Sequence, residues 1–127
     1  FKRVNDEHGH DVGDKVLQEA AYRLRSSLRA FDSVYRIGGE EFVVLLTDVD
    51  PDGATETANR IAEAVRAAPL AGVPVTISLG VASSTPSGDF DYDRTFARAD
   101  AALYAAKENG RDRVVCADPR TGELLAA

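Results

Sequence analysis

The residues with the plainest chemical potential stand together at Gly38-Gly39-Glu40-Glu41-Phe42. Two glycines let a main chain pass close to a ligand, because no Cβ stands in the way. Two adjacent carboxylates, Glu40 and Glu41, follow at once. Along a strand they would point to opposite faces, whereas in a turn both can reach one site. Hard divalent cations such as Mg²⁺ and Mn²⁺ take oxygen ligands, so a carboxylate pair at a sheet edge is a candidate seat for one. The same five residues also describe an ordinary hairpin with a solvated acidic tip. Local pattern leaves both readings open.

The flanking sequence supplies elements to hold such a turn. Residues 33–37 and 41–46 are short runs of β-formers around Gly38-Gly39, and because glycine tolerates positive φ they predict a tight hairpin. Upstream, Val16, Leu17, Ala20, Ala21, Leu24 and Leu28 recur at three- and four-residue steps and predict an amphipathic helix over 11–29. Downstream, Asp50-Pro51 reads as a cap followed by proline at the first helical position. The helix it starts carries Ala54, Ala58, Ile61, Ala62 and Val65 on one face and should end near Ala68-Pro69. Residues 73–82 read as a long strand and 83–91 as a loop. A third helix is expected over 93–109, with Phe96, Ala99, Leu103 and Ala106 inward, Tyr104 in the core and Gly110 closing it. Val114-Val115 predicts a short last strand, and 117–127 a frayed end. Helix, hairpin, helix, strand, helix, strand implies an α+β domain with a sheet covered by helices.

Composition narrows the function classes. A 127-residue chain, 44% hydrophobic and 28% charged, suits one globular domain. No apolar run approaches the roughly 20 residues that span a bilayer. The single Cys116 cannot form an internal disulfide, and nothing clusters like a zinc site, so a cytoplasmic location fits. A net charge of −6 argues against binding a nucleic-acid backbone, which needs a basic footprint. It does not argue against a single nucleotide, since a metal ion can bridge carboxylates to phosphates.

Around the hairpin, further motifs occur in a fixed order. Phe1-Lys2-Arg3-Val4-Asn5-Asp6 with Gly9-His10 and Gly13-Asp14 precedes it. Ser78-Leu79-Gly80-Val81-Ala82 follows, and then Ala99-Asp100-Ala101-Ala102-Leu103-Tyr104-Ala105-Ala106-Lys107 with Gly110-Arg111. Together they resemble the GGDEF family of diguanylate cyclases, over about residues 1–115, leaving 116–127 as a C-terminal tail. The resemblance implies a ferredoxin-like, antiparallel sheet of the nucleotidyl cyclase and polymerase-palm type, flanked by helices. It implies a nucleotidyltransferase that condenses two GTP into cyclic di-GMP and two pyrophosphates, with Mg²⁺ or Mn²⁺. Each domain of a homodimer would hold one GTP. No nucleic acid and no direct membrane contact by the domain are expected, which suits a cytoplasmic domain, alone or within a larger sensor protein.

Residue by residue, the resemblance assigns Glu40 and Glu41 to the metal, with Glu40 near the attacking 3′-hydroxyl and Lys2 assisting catalysis at the phosphates. Gly38 and Gly39 would lie against the nucleotide, with Phe1 beside it. Asn5 and Asp14 would read guanine. An ionised carboxylate can accept from both adjacent N–H donors on guanine's Watson–Crick edge, a donor pair that adenine lacks. Lys107 and Arg111 would clamp the terminal phosphates. His10 would touch substrate or brace its loop. Without the resemblance, Asn5 and Asp14 read equally as turn and cap residues, and Lys107 and Arg111 as surface cations near a helix C-terminus.

Arg29-Ala30-Phe31-Asp32 ends shortly before Gly38. At that spacing the family's R-x-x-D pattern forms an inhibitory product site, and Arg60 stands where some members place a further arginine. Unaided, R-x-x-D is more often a surface ion pair. The family pattern also places an aspartate-bearing central strand and an earlier helix before Phe1, so the sequence is expected to be part of a longer polypeptide. The competing expectation is a non-catalytic module that binds cyclic di-GMP.

Overall fold

The computed structural model describes residues 2–84 and 88–127. They form α1 (Lys2–His8), α2 (His10–Ser26), β1 (Ser33–Arg36), β2 (Phe42–Leu45), α3 (Pro51–Arg66), β3 (Leu79–Val81), α4 (Tyr92–Glu108), β4 (Val114–Ala117) and β5 (Leu124–Ala126). Two compact units contain them: Phe1–Thr47 with Glu63–Val75, and Asp48–Ala62 with Thr76–Ala127. Among the described residues no helix is long and apolar enough to cross a membrane.

In the first unit the chain enters through α1, a helix that periodicity did not announce. Gly9 separates it from α2 at φ 88°, a left-handed value that costs glycine little. The Gly9 amide donates to the Asn5 carbonyl at 2.8 Å and the Gly13 amide to the Gly9 carbonyl at 3.1 Å, so one helix closes as the next opens. α2 buries Val16, Leu17, Ala20 and Leu24 of the predicted stripe, together with Gly13; Ala21 is half-buried, and Leu28 lies beyond the helix, which ends at Ser26. β1 and β2 form the expected antiparallel hairpin, with Val34 opposite Val44 and Arg36 opposite Phe42.

Arg23 of α2 closes the last turn of α3. Its Nη1 donates to the carbonyls of Ala64, Val65 and Ala68 at 3.3, 3.2 and 2.6 Å, and its Nη2 to Pro69 at 3.2 Å. Helix C-termini leave carbonyls without intrahelical donors, and one guanidinium here serves several of them. Glu19 accepts from the Ala71 amide at 2.6 Å beside it, where Leu70 is fully buried. Arg23→Met keeps the aliphatic stem but removes the donors. It should cost about 2–3 kcal/mol, read from the urea unfolding midpoint at constant slope; a midpoint equal to wild type would show that water serves those carbonyls as well.

In the second unit, Asp50 caps α3 as predicted, its Oδ1 accepting from the Gly53 amide at 2.7 Å. β3, α4 and β4 form a parallel crossover, with Leu79 opposite Val114 and Val81 opposite Cys116. β5 pairs antiparallel on β4. The palm-type α+β expectation holds, but the sheet is mixed: α4 returns the chain to the end where β3 began, so β3 and β4 run parallel. One face of this sheet places Leu79, Val81, Val114 and Cys116 against Ala58 and Ala62 of α3. The other places Val115 against Ala102 and Ala106 of α4.

Three local expectations need correction. The strand expected over 73–82 is confined to Leu79–Val81, because β4 supplies partners only there; β-propensity records fitness for a pleated surface, not the presence of a neighbour. The end of the chain is not frayed. Asp118 Oδ1 accepts from the Arg120 and Thr121 amides at 2.8 and 3.1 Å, Gly122 takes φ 75°, and the turn sends β5 back along β4. Tyr104 is 67% exposed. Two residues beyond the buried Ala102, it projects about 200° around the helix from the sheet.

Candidate functional site

The hairpin and α2 enclose a groove of about 580 Å³ within the first unit. Its helical wall is Asp14, Leu17, Gln18, Ala21 and Arg25, one stripe along α2. Its strand wall is Val34 and Arg36 of β1, two residues apart and therefore on one face, with Phe42 of β2 opposite Arg36. Asp14 thus stands on the groove wall. Arg25 and Arg36 were not singled out in the sequence; the eleven-residue step from Asp14, three helical turns, and the two-residue step from Val34 are the signals that carry them.

The tip of the hairpin differs from expectation in one respect. The described glycines with positive φ are Gly9, Gly72, Gly110 and Gly122, so neither Gly38 nor Gly39 is there to supply a left-handed turn. Nor does crowding demand them. A Cβ on Gly39 would meet nothing within 4 Å, and one on Gly38 would make ordinary contact with the Glu41 side chain at 3.7 Å. Glycine at both positions leaves the main chain of the tip open. The turn is closed by the Ile37 amide donating to the Glu41 carbonyl at 3.0 Å. Arg36 Nε donates to the Gly38 carbonyl at 3.1 Å, and its Nη2 donates to the Gly39 carbonyl.

Glu40 and Glu41 are both exposed at this tip. Among the described residues no three His, Cys, Asp or Glu side chains gather as a metal cage. Two carboxylates nonetheless fit Mg²⁺ in kind, because that ion keeps several waters and is commonly held by one or two carboxylates plus substrate phosphates. Asn5 lies on α1 with its Oδ1 buried and without a hydrogen-bond partner, an acceptor that a ligand donor could satisfy. His10 is the exposed first residue of α2. Phe1 and the side chain of Lys2 lie outside the described residues. Arg60, Lys107 and Arg111 belong to the second unit: Arg60 exposed on α3, Lys107 in the last turn of α4, and Arg111 just beyond it at φ 61°.

Arg29 and Asp32 are tied to each other. Asp32 is 4% exposed and accepts from the Arg29 amide at 2.9 Å, from Nε at 3.1 Å and from Nη2 at 3.0 Å. Arg29 Nη2 also donates to the Thr47 carbonyl at 2.7 Å, and its guanidinium lies 4.5 Å from the centre of the Phe31 ring. The Arg29 guanidinium holds the Asp32 carboxyl below its ordinary value of 3.8, against the opposing effect of burial. A depressed carboxyl contributes stability that is complete above its unfolded-state value and is lost as pH falls through the folded-state value. Asp32→Asn should therefore cost about 2–3 kcal/mol at pH 7 and flatten the loss of stability below about pH 4. Urea unfolding at pH 7 and pH 3 checks both; a cost that does not shrink at pH 3 would locate the effect in packing instead.

Comparison with known proteins agrees with this geometry. The sequence profile of the family described as "Diguanylate cyclase, GGDEF domain" matches residues 1–113. The response regulator PleD of Caulobacter vibrioides is 44% identical over 126 residues, covering 91% of this chain and 26% of PleD. The solved active GGEEF domain of a diguanylate cyclase from Vibrio cholerae superposes with a TM-score of 0.79 at 32% identity, covering 91% of this chain and 74% of that one. The GGDEF domain of DgcB from Caulobacter crescentus, solved in complex with c-di-GMP, gives a TM-score of 0.69 at 25% identity over 91% of this chain and 70% of that one. The chain belongs to the GGDEF diguanylate cyclase family. It spans about a quarter of the length of PleD.

Proposed function

We propose that this chain is the catalytic domain of a diguanylate cyclase, joining two GTP into cyclic di-GMP with release of two pyrophosphates. The observation that carries the reading is the groove wall bearing Asp14 beneath an open-backed hairpin that carries Glu40 and Glu41. Asp14 accepts from the two adjacent N–H groups of guanine, and Asn5 Oδ1 takes a further donor. The main chain at Gly38 and Gly39 lies along the nucleotide. Lys2, Lys107 and Arg111 neutralise phosphate oxygens. Glu40 and Glu41 hold Mg²⁺ or Mn²⁺, which supplies charge stabilisation at the reacting phosphoryl group.

The bond that forms is between the 3′-oxygen of one GTP and the α-phosphorus of the other. The bond that breaks is the one from that phosphorus to the pyrophosphate leaving group. Each domain holds one GTP, so two domains must face each other, and the ring closes when the exchange occurs twice. In this reading Glu40 orients the attacking hydroxyl. Incubation of the protein with GTP and Mg²⁺, followed by chromatography, tests the reading: cyclic di-GMP supports it. Tight binding of added cyclic di-GMP without synthesis would replace it with a sensor module.

Product inhibition at Arg29, Asp32 and Arg60 extends the same reading. The c-di-GMP complex of DgcB supports product binding by this family. Because Asp32 is buried against Arg29, the ligand must take over contacts that the pair now makes internally. Arg29→Ala should abolish high-affinity cyclic di-GMP binding in calorimetry. Arg60→Ala, at an exposed position, should weaken it at least about tenfold with an unchanged melting temperature. Wild-type affinity in both variants would remove the inhibitory site.

A further inference from the structure

A turn can be held by glycines at positive φ, by side-chain packing or by hydrogen bonds. At 37–41 the first is absent, since neither Gly38 nor Gly39 takes positive φ. The second is slight: Gly39 has open space where a Cβ would lie, and Ile37 is 49% exposed. The main-chain bond from Ile37 to Glu41 closes the base of the turn but leaves the carbonyls of Gly38 and Gly39 to be fixed by something else. Arg36 supplies it. Its Nε and Nη2 lie on one edge of a planar guanidinium, and they donate to the Gly38 and Gly39 carbonyls respectively. That fork has a fixed spacing and direction, so two adjacent carbonyls held by it have little freedom to rotate.

We propose that Arg36 is the positioning residue of the hairpin: its guanidinium fork sets the path of Gly38 and Gly39 and thereby where Glu40 and Glu41 stand. The same side chain forms the groove wall opposite Asp14, so the carboxylate tip and the nucleotide groove share one point of reference. This rests on the diguanylate cyclase reading for its consequence in catalysis, but not for its consequence in the turn. Lysine cannot replace the fork, because a single ammonium is a point charge without the paired parallel donors.

The test uses Arg36→Lys and Arg36→Met in the protein. Arg36 is exposed, and its pairing with Phe42 is made by the main chain, so both variants should melt within about 2 °C of wild type. Without metal or nucleotide, backbone ¹⁵N order parameters at 39–41 should fall from about 0.85 to below about 0.6 in both, while 33–35 and 43–45 stay rigid. In turnover, half-saturating Mg²⁺ should rise at least about fivefold and kcat fall at least about tenfold. Unchanged order parameters, equal loosening along the whole hairpin, or wild-type behaviour of Arg36→Lys would each overturn the proposal. If the wild type makes no cyclic di-GMP, the cyclase reading falls, and the order parameters alone decide the role of Arg36.

Discussion

Glu40→Gln should lower the maximal rate of cyclic di-GMP formation at least about a thousandfold, equivalent to roughly 4 kcal/mol of transition-state stabilisation. The substitution keeps size and shape but removes a negative charge from a two-carboxylate set. Among the described residues no third His, Cys, Asp or Glu gathers beside the pair. The loss should fall on kcat, with KM for GTP changed only a few fold, because the groove that includes Asp14 is untouched. Glu40 is exposed, so the melting temperature should not move. Initial rates at saturating GTP, measured by anion-exchange chromatography, decide the point. A loss under tenfold would mean that Glu40 neither holds the metal nor orients the hydroxyl.

The largest expected loss of stability lies elsewhere, at Gly80→Ala. A Cβ at this position would come within 2.1 Å of the Ala99 carbonyl oxygen and 2.4 Å of the Leu103 amide nitrogen, both main-chain atoms of α4. Side chains can rotate away from a clash, but a helix backbone can only be displaced. Moving α4 off β3 would open the contacts that bury Ala102 and Ala106 against Val115. A cost of about 3 kcal/mol or more follows, a large part of the 5–15 kcal/mol that holds a typical domain. Thermal unfolding should show a melting temperature lower by about 10 °C or more. A shift under 2 °C would mean that β3 and α4 do not meet at Gly80. Gly39 is the useful contrast, because a methyl group there would stand in open space.

The two glycine positions show how far a linear pattern reaches. Gly80 and Gly39 are equally visible as parts of motifs, yet one is required by a helix lying on its strand and the other by no neighbour among the described residues. Nothing local distinguishes them, since the neighbours of Gly80 lie about twenty residues away. Arg36 went unremarked because an arginine at the end of a β-run looks like a solvated edge charge. Its value comes from a two-residue reach to carbonyls that only a folded turn presents. Asp118-Pro119-Arg120-Thr121-Gly122 held a readable turn signal, but the strand it produces needed β4 as a partner.

The sequence by itself determined most of the α2 stripe, the hairpin position, the cap at Asp50 and the motif order that marks the family. These follow from periodicity, capping chemistry and residue identity, all of which act over a few residues. Tertiary structure alone decided that Asp14 and Arg36 share a groove and that β3 and β4 run parallel. It alone decided that Asp32 is buried against Arg29 rather than held open. Each of these depends on which distant segments meet, and pairing between segments is set by burial and hydrogen-bond completion across the whole fold, which no local window contains.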